Sequence, residues 1–205
     1  MRITREPRPP RGGFSFIELL CVLAILLIVF ALSFGVGGKA RQQSRLEQCR
    51  GNLSLLHQAL RIAAAENGER FPTVAGATDS DTVLSRLVPR YSSRVDVFRC
   101  PGRTRDPFTG ASATTQRFRN HFAYASGLGN QPDATQWLLS DEQVDTRRKA
   151  IGDRIFSETD SGLGSNHGQH GGSILFTDGH AAFSAPKAAF AIQIPPGAIA
   201  LNPAR

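Results

Sequence analysis

Three groups of side chains in this sequence have types and spacings that could do chemistry. The first is a single carboxylate, Glu18, inside "FSFIELLCVLAILLIVFALSFGVGG", residues 14 to 38, a run with no Lys, Arg or Asp. An acid at mid-bilayer costs about 2.5–3.5 kcal/mol on insertion scales, and such residues usually have a partner. The run supplies no basic side chain. Phe14 stands one helical turn before Glu18, so cleavage after Gly13 would create an ammonium within salt-bridge reach, on the same or a neighbouring chain. The second group is Cys49 in "LEQCRGNL" and Cys100 in "VFRCPG". The third is "NHGQHGGSILFTDGHAAFS", residues 166 to 184, where His167, His170, Asp178 and His180 give His-x-x-His followed by Asp-x-His. Those donor types suit zinc. Their setting argues against it: catalytic zinc pairs usually sit at helical spacing with a nearby acid, whereas these histidines lie in a glycine loop. An aspartate before glycine is explained by turn geometry alone. Neither cysteine has a second ligand close in sequence, so the expectation is no metal and no cofactor.

The elements that must hold these groups follow from charge and periodicity. The chain has 205 residues and a net charge of +7, of which the first thirteen residues carry +3 through Arg2, Arg5, Arg8 and Arg11 against Glu6. The remaining excess is dispersed, with no groove-reading helix or zinc-finger spacing, so no nucleic acid is expected as a direct partner. Residues 14 to 38 at helical rise would reach about 37 Å, more than the roughly 30 Å hydrocarbon core. With the arginines before it and only Lys39 and Arg41 soon after, the leader stays cytoplasmic and the body lies outside. The apolar run is too long for a cleaved signal peptide. An ordinary single-pass anchor has the same charge pattern, but it gives no reason for Glu18.

At these residues the chain resembles a known family. "GGFSFIELL" is similar to the signal of type IV prepilins and type II secretion pseudopilins, in which a peptidase cuts after the glycine, the new aromatic terminus is methylated, and the fifth mature residue is glutamate. Counted from Phe14, Glu18 is the fifth. Ser15 replaces a common threonine, and Arg11-Gly12-Gly13 ends the leader without a charge directly before the last glycine. The resemblance implies processing at Gly13 and Phe14, and a role for Glu18 in assembly. It also implies four kinds of partner: a prepilin peptidase/methyltransferase, other pilin or pseudopilin subunits, an inner-membrane assembly platform and membrane lipid. The fold implied is α+β and pilin-like, a long amino-terminal helix packed on a small antiparallel sheet with a carboxy-terminal hairpin.

Leu46, Cys49, Leu53, Leu56, Leu60 and Ala63 recur at spacings of three and four, which predicts an amphipathic helix. With no proline before Pro72, one helix is expected from about Phe14 to about Glu66, weakened at Gly35, Gly37 and Gly38 and stopped by "ENGERFP". Cys21 reads as a small buried hydrophobe. Cys49 and Cys100, on the outer side, are expected either as a disulfide closing a loop worth roughly 4 kcal/mol or as two separate buried thiols. "CRGNLSLLHQAL", "ENGERFP" and "VFRCPG" together resemble a pilin-like subgroup with Cys-x-x-Asn-Leu on its helix and a later Cys-Pro.

Residues 83 to 98 read as a short helix and a strand ("RVDVF"), and "RFRNHFAYASG" and "QWLLSDE" as further short strands or loops. Ser173–Thr177 and His180–Ser184 read as a hairpin turned by Asp178-Gly179, with Thr177 opposite His180, Phe176 opposite Ala181 and Ile174 opposite Phe183. This stretch resembles the His-x(9)-Asp-Gly region of proteins with the same start, departing by one residue: ten residues separate His167 from Asp178, and seven separate His170 from it. The expected organisation is a leader (1–13), a membrane or filament-core helix (14–38), a pilin-like body (39–185) and a loose tail (186–205). No Gly-x-Ser-x-Gly or Walker loop is present, so no enzyme is expected. The alternatives are a membrane-tethered, extracytoplasmic binding module using the histidine loop for a metal or ligand, and a tethered hydrolase.

Overall fold

The computed structural model describes residues 13, 15–35, 37–103, 119–144, 154–159, 161–186 and 198–204, with backbone alone for 31–35, 37 and 39. Residues 1–12 of the basic leader, Phe14 and Val36 lie outside the described residues. The chain divides into two compact units, Met1–Arg41 and Gln42–Arg205.

The first unit is built on helix α1, Phe16–Gly35. Every described side chain from Phe16 to Phe30 is exposed, Cys21 included, so no chain segment of this unit buries that thiol. Among the described residues no helix is long and apolar enough to cross a membrane. The helix expected from Phe14 to Glu66 is described in two stretches on either side of Val36, the second being α2, Gly37–Glu66.

In the second unit, the predicted stripe of α2 faces inward, with Leu46, Cys49, Leu53, Leu56, Leu60 and Ala63 all buried. It packs with a five-stranded antiparallel sheet of β1 (Phe122–Ser126), β2 (Trp137–Asp141), β3 (Gly172–Phe176), β4 (Ala181–Ser184) and β5 (Ile199–Leu201), in the order β4-β3-β2-β1-β5. Polar anchors fix the helix along the hairpin: Arg50 donates to the Ala181 carbonyl at 2.8 Å, and His57 Nε2 lies 3.1 Å from the Thr177 carbonyl. All five residues of β2 and of β3 are buried, so these central strands are covered on both faces. A short helix α3, Ser80–Leu84, is capped by the Asp79 side chain and bonds β1 through Ser80 Oγ to the Phe122 carbonyl at 2.8 Å.

Three expectations are corrected. "RVDVF" is a 3₁₀ turn, Asp96–Phe98, not a strand; Val95 takes helical dihedrals, and Arg94 donates to Asp96 at 2.6 Å across the turn. The hairpin is offset by one residue, with Leu175 opposite Ala181, Ile174 opposite Ala182 and Ser173 opposite Phe183. Its loop is Thr177-Asp178-Gly179, closed by Phe176 N–H to the His180 carbonyl at 3.0 Å, with only Gly179 at positive φ (94°). Such a three-residue loop asks for one left-handed residue where a two-residue loop asks for two. The segment expected as a loose tail supplies β5, with Ala200 and Leu201 buried and Asn202 paired to Gln143 in both directions at 2.9 Å.

Candidate functional site

The polar centre of the body sits where four separate segments meet. The α2 stripe turns Cys49 inward, and the Asp96–Phe98 turn delivers Cys100. The end of β2 presents Asp141, and the loop before β3 brings in His167. A register shift between Trp137 and Leu139 precedes Asp141. One extra residue on a strand reverses which side chains face inward beyond it. All four side chains are buried, and one donor atom from each lies within 4.8 Å of all the others. Cys49 Sγ is 2.9 Å from Cys100 Sγ and 3.0 Å from Asp141 Oδ1. Cys100 Sγ is 3.2 Å from His167 Nε2, which is 3.4 Å from Asp141 Oδ2.

The surroundings orient these groups. Asn166 Nδ2 donates to Asp141 Oδ1 at 2.9 Å, and the Ser173 N–H donates to Oδ2 at 2.8 Å. Gly102 leaves the space the imidazole uses: a Cβ there would stand only 2.5 Å from the Asn166 carbonyl oxygen and collide with His167 Nδ1. Three buried polar atoms, Asn166 Oδ1, His167 Nδ1 and Ser173 Oγ, have no hydrogen-bond partner among the described residues. Burial pushes the Cys49 thiol well up, helped by Cys100 and Asp141. Burial would also raise Asp141, but His167, Asn166 and the Ser173 amide hold it below the ordinary carboxylate range. For His167 burial acts downward, and Asp141 and Cys100 outweigh it, so its pKa is raised.

The other residues of the histidine loop do not join this cluster. His170 is exposed at the end of a 3₁₀ turn, Gly168–His170. Asp178 and His180 are exposed and pair with each other, Nδ1 to Oδ1 at 2.7 Å, while the His180 ring stacks on Phe176. Gly179 packs its Cα side against His57, 2.8 Å from where a Cβ would reach Cε1. So the carboxy-terminal signature divides: His167 enters the core, and Asp178-Gly179 makes the turn.

In the first unit, Glu18 is exposed in the first turn of α1, its N–H donating to the Ser15 carbonyl at 3.0 Å. A negative charge there also meets the positive end of the helix dipole, worth about 0.3–1 kcal/mol. Gly13 is exposed with open space around it. Residues 8–34, which enclose both positions, match the family described as a prokaryotic N-terminal methylation motif. The amino-terminal region is type IV prepilin- or pseudopilin-like. No curated protein and no solved structure matches it. The motif points in general to processing by a prepilin peptidase and to assembly with pilin subunits. The α+β fold, a long helix on an antiparallel sheet, agrees with a pilin-like architecture.

Sequence spacing missed Asp141 and separated His167 from the cysteines. "QWLLSDE" is legible as a strand, and an acid closing a five-residue run that is otherwise wholly buried is the one signal pointing to Asp141.

Proposed function

We propose that this chain is inserted with its leader in the cytoplasm and its body outside the inner membrane, cut between Gly13 and Phe14, methylated at Phe14, and built into a type IV pilus or a type II secretion pseudopilus. The observation that carries this reading is the methylation motif lying on a helix whose described apolar side chains are exposed. Twelve large apolar side chains from Phe16 to Phe30 stand 46–76% exposed in the single chain. Covering them is worth on the order of 10 kcal/mol or more, so the helix requires lipid first and, in this reading, neighbouring subunits' helices after assembly. Glu18 then meets the new ammonium at Phe14. At an effective dielectric of about 20 a pair at about 4 Å gains roughly 4 kcal/mol, enough to offset the cost of the buried acid.

Mass analysis of the purified chain tests the processing step: a mature form starting at methylated Phe14 is expected, and an intact leader in cells with the peptidase refutes the reading. Glu18→Ala is expected to leave processing largely intact and abolish incorporation into sheared filaments. An unchanged filament yield would rule out the charge pairing.

A further inference from the structure

We propose that Cys49, Cys100, Asp141 and His167 form a tetrahedral site for a divalent zinc-class cation in the body of the protein. Four side chains from a helix, a loop, a strand end and a second loop turn Sγ, Sγ, a carboxylate oxygen and Nε2 toward one point. All four atoms are electron-pair donors, and a cation is the partner they share. Tetrahedral zinc, with bonds of about 2.3 Å to sulfur and about 2.0–2.1 Å to nitrogen or oxygen, separates its ligands by roughly 3.3–3.8 Å. The observed neighbour separations run from 2.9 Å between the sulfurs to 3.4 Å between His167 and Asp141. With one donor atom from each residue within 4.8 Å of all the others, shifts of about 1 Å, apart for the sulfurs and together for the widest pair, admit the ion.

The supporting shell is that of a ligand set. Asn166 and the Ser173 amide fix the carboxylate, as outer hydrogen bonds fix metal-bound carboxylates. Gly102 gives up a side chain to let the imidazole in. Among the described residues, the buried Asn166 Oδ1 and Ser173 Oγ, on the two residues that bond Asp141, lack a hydrogen-bond partner, and such groups mark a place where an ion or water belongs. A disulfide would use the two sulfurs alone. It gives no role to a buried carboxylate and an imidazole nitrogen directed at them. On binding, both thiols and the His167 imidazolium lose a proton to solvent, and two thiolates, one carboxylate and a neutral imidazole around a divalent ion leave a single net negative charge facing the Asn166 and Ser173 donors. With no open position required for substrate, the site is structural, and its energy adds to folding.

The test uses the full chain carrying Cys21→Ser, so that only Cys49 and Cys100 supply thiols, purified in nonionic detergent without chelator. Elemental analysis is expected to give one zinc per chain, with both thiols titrating only after denaturation in chelator. Chelation should lower Tm and added zinc restore it. Cobalt(II) exchanged into the site should show the near-ultraviolet thiolate-to-metal absorption of two sulfur ligands in a tetrahedral field. Asp141→Asn should weaken cobalt affinity at least tenfold, and His170→Ala should leave it unchanged. If ligand variants fail to fold, the cobalt spectrum of the otherwise unaltered chain decides alone. A metal-free chain with a Cys49–Cys100 disulfide overturns the proposal, as do two free thiols that take up no cobalt. None of these readouts depends on leader cleavage or filament formation, so the proposal fails or stands apart from the pilin reading.

Discussion

Asp81 lies in α3 with 7% of its surface exposed, and Asp81→Asn should change the pH dependence of stability in a defined direction. Its Oδ1 accepts the Asn120 N–H at 2.9 Å and is also bonded by the Asn120 amide; Oδ2 accepts the Ala204 N–H at 3.2 Å. Burial pushes the carboxyl up to about 6 from 3.8, against the pull of those donors. Between these values the folded chain holds a proton that the unfolded chain has lost. The stabilising effect of protonation is therefore complete below pH 3.8 and is lost as pH rises through about 6. A shift of about two units corresponds to about 3 kcal/mol of order-of-magnitude penalty on the folded state at neutral pH.

Asparagine keeps the Oδ1 acceptor, removes the charge and forfeits the Oδ2 bond, a loss of about 1 kcal/mol. At pH 7.5 the variant should be more stable than the parent by about 2 kcal/mol, and at pH 4 less stable by about 0.5 kcal/mol. Urea unfolding of the full chain in nonionic detergent, followed by the fluorescence of its single tryptophan, the buried Trp137, measures both. Taking the difference between variant and parent cancels the other titrating groups. A difference that stays flat from pH 4 to 7.5, or rises toward acid, would refute burial as the dominant influence on Asp81.

Two further perturbations follow from packing. Leu56→Ala empties a fully buried place on the α2 stripe and should cost about 2–5 kcal/mol, whereas Leu55→Ala, at a side chain 39% exposed, should cost well under half as much; equal losses in urea unfolding would contradict the assigned face. Gly179→Ala forces a side chain into positive φ and against His57, so a loss of about 1–3 kcal/mol is expected in thermal unfolding, and an unchanged Tm would show that the turn has another conformation available.

What could be read in the sequence was whatever repeats locally. The three-and-four spacing from Leu46 to Ala63 names the buried face of α2, because a helix places those residues in one line. Short apolar runs at Phe122–Ser126 and Trp137–Asp141 are likewise strands. "RVDVF" has strand-like alternation, yet the Arg94–Asp96 contact bends it into a turn. Asp178-Gly179 signals a hairpin but suits a loop of two residues or three, and the choice shifts every cross-strand partner by one. The buried cluster was illegible for a deeper reason. Cys49, Cys100, Asp141 and His167 have no spacing relation, and only helix, turn, strand bulge and loop acting together bring them to one place.

The strand Ile199–Leu201 has a consequence for how this protein is handled and made. It is the latest element in sequence order, yet it shields β1, whose opposite flank is taken by β2. Until it docks, Tyr124 to Ser126 offer bare amides and carbonyls to any extended peptide that drifts past. A polypeptide stalled, nicked or fused just upstream of Ala198 would therefore carry a sticky flank, and clumping rather than simple unfolding is the failure such material should show.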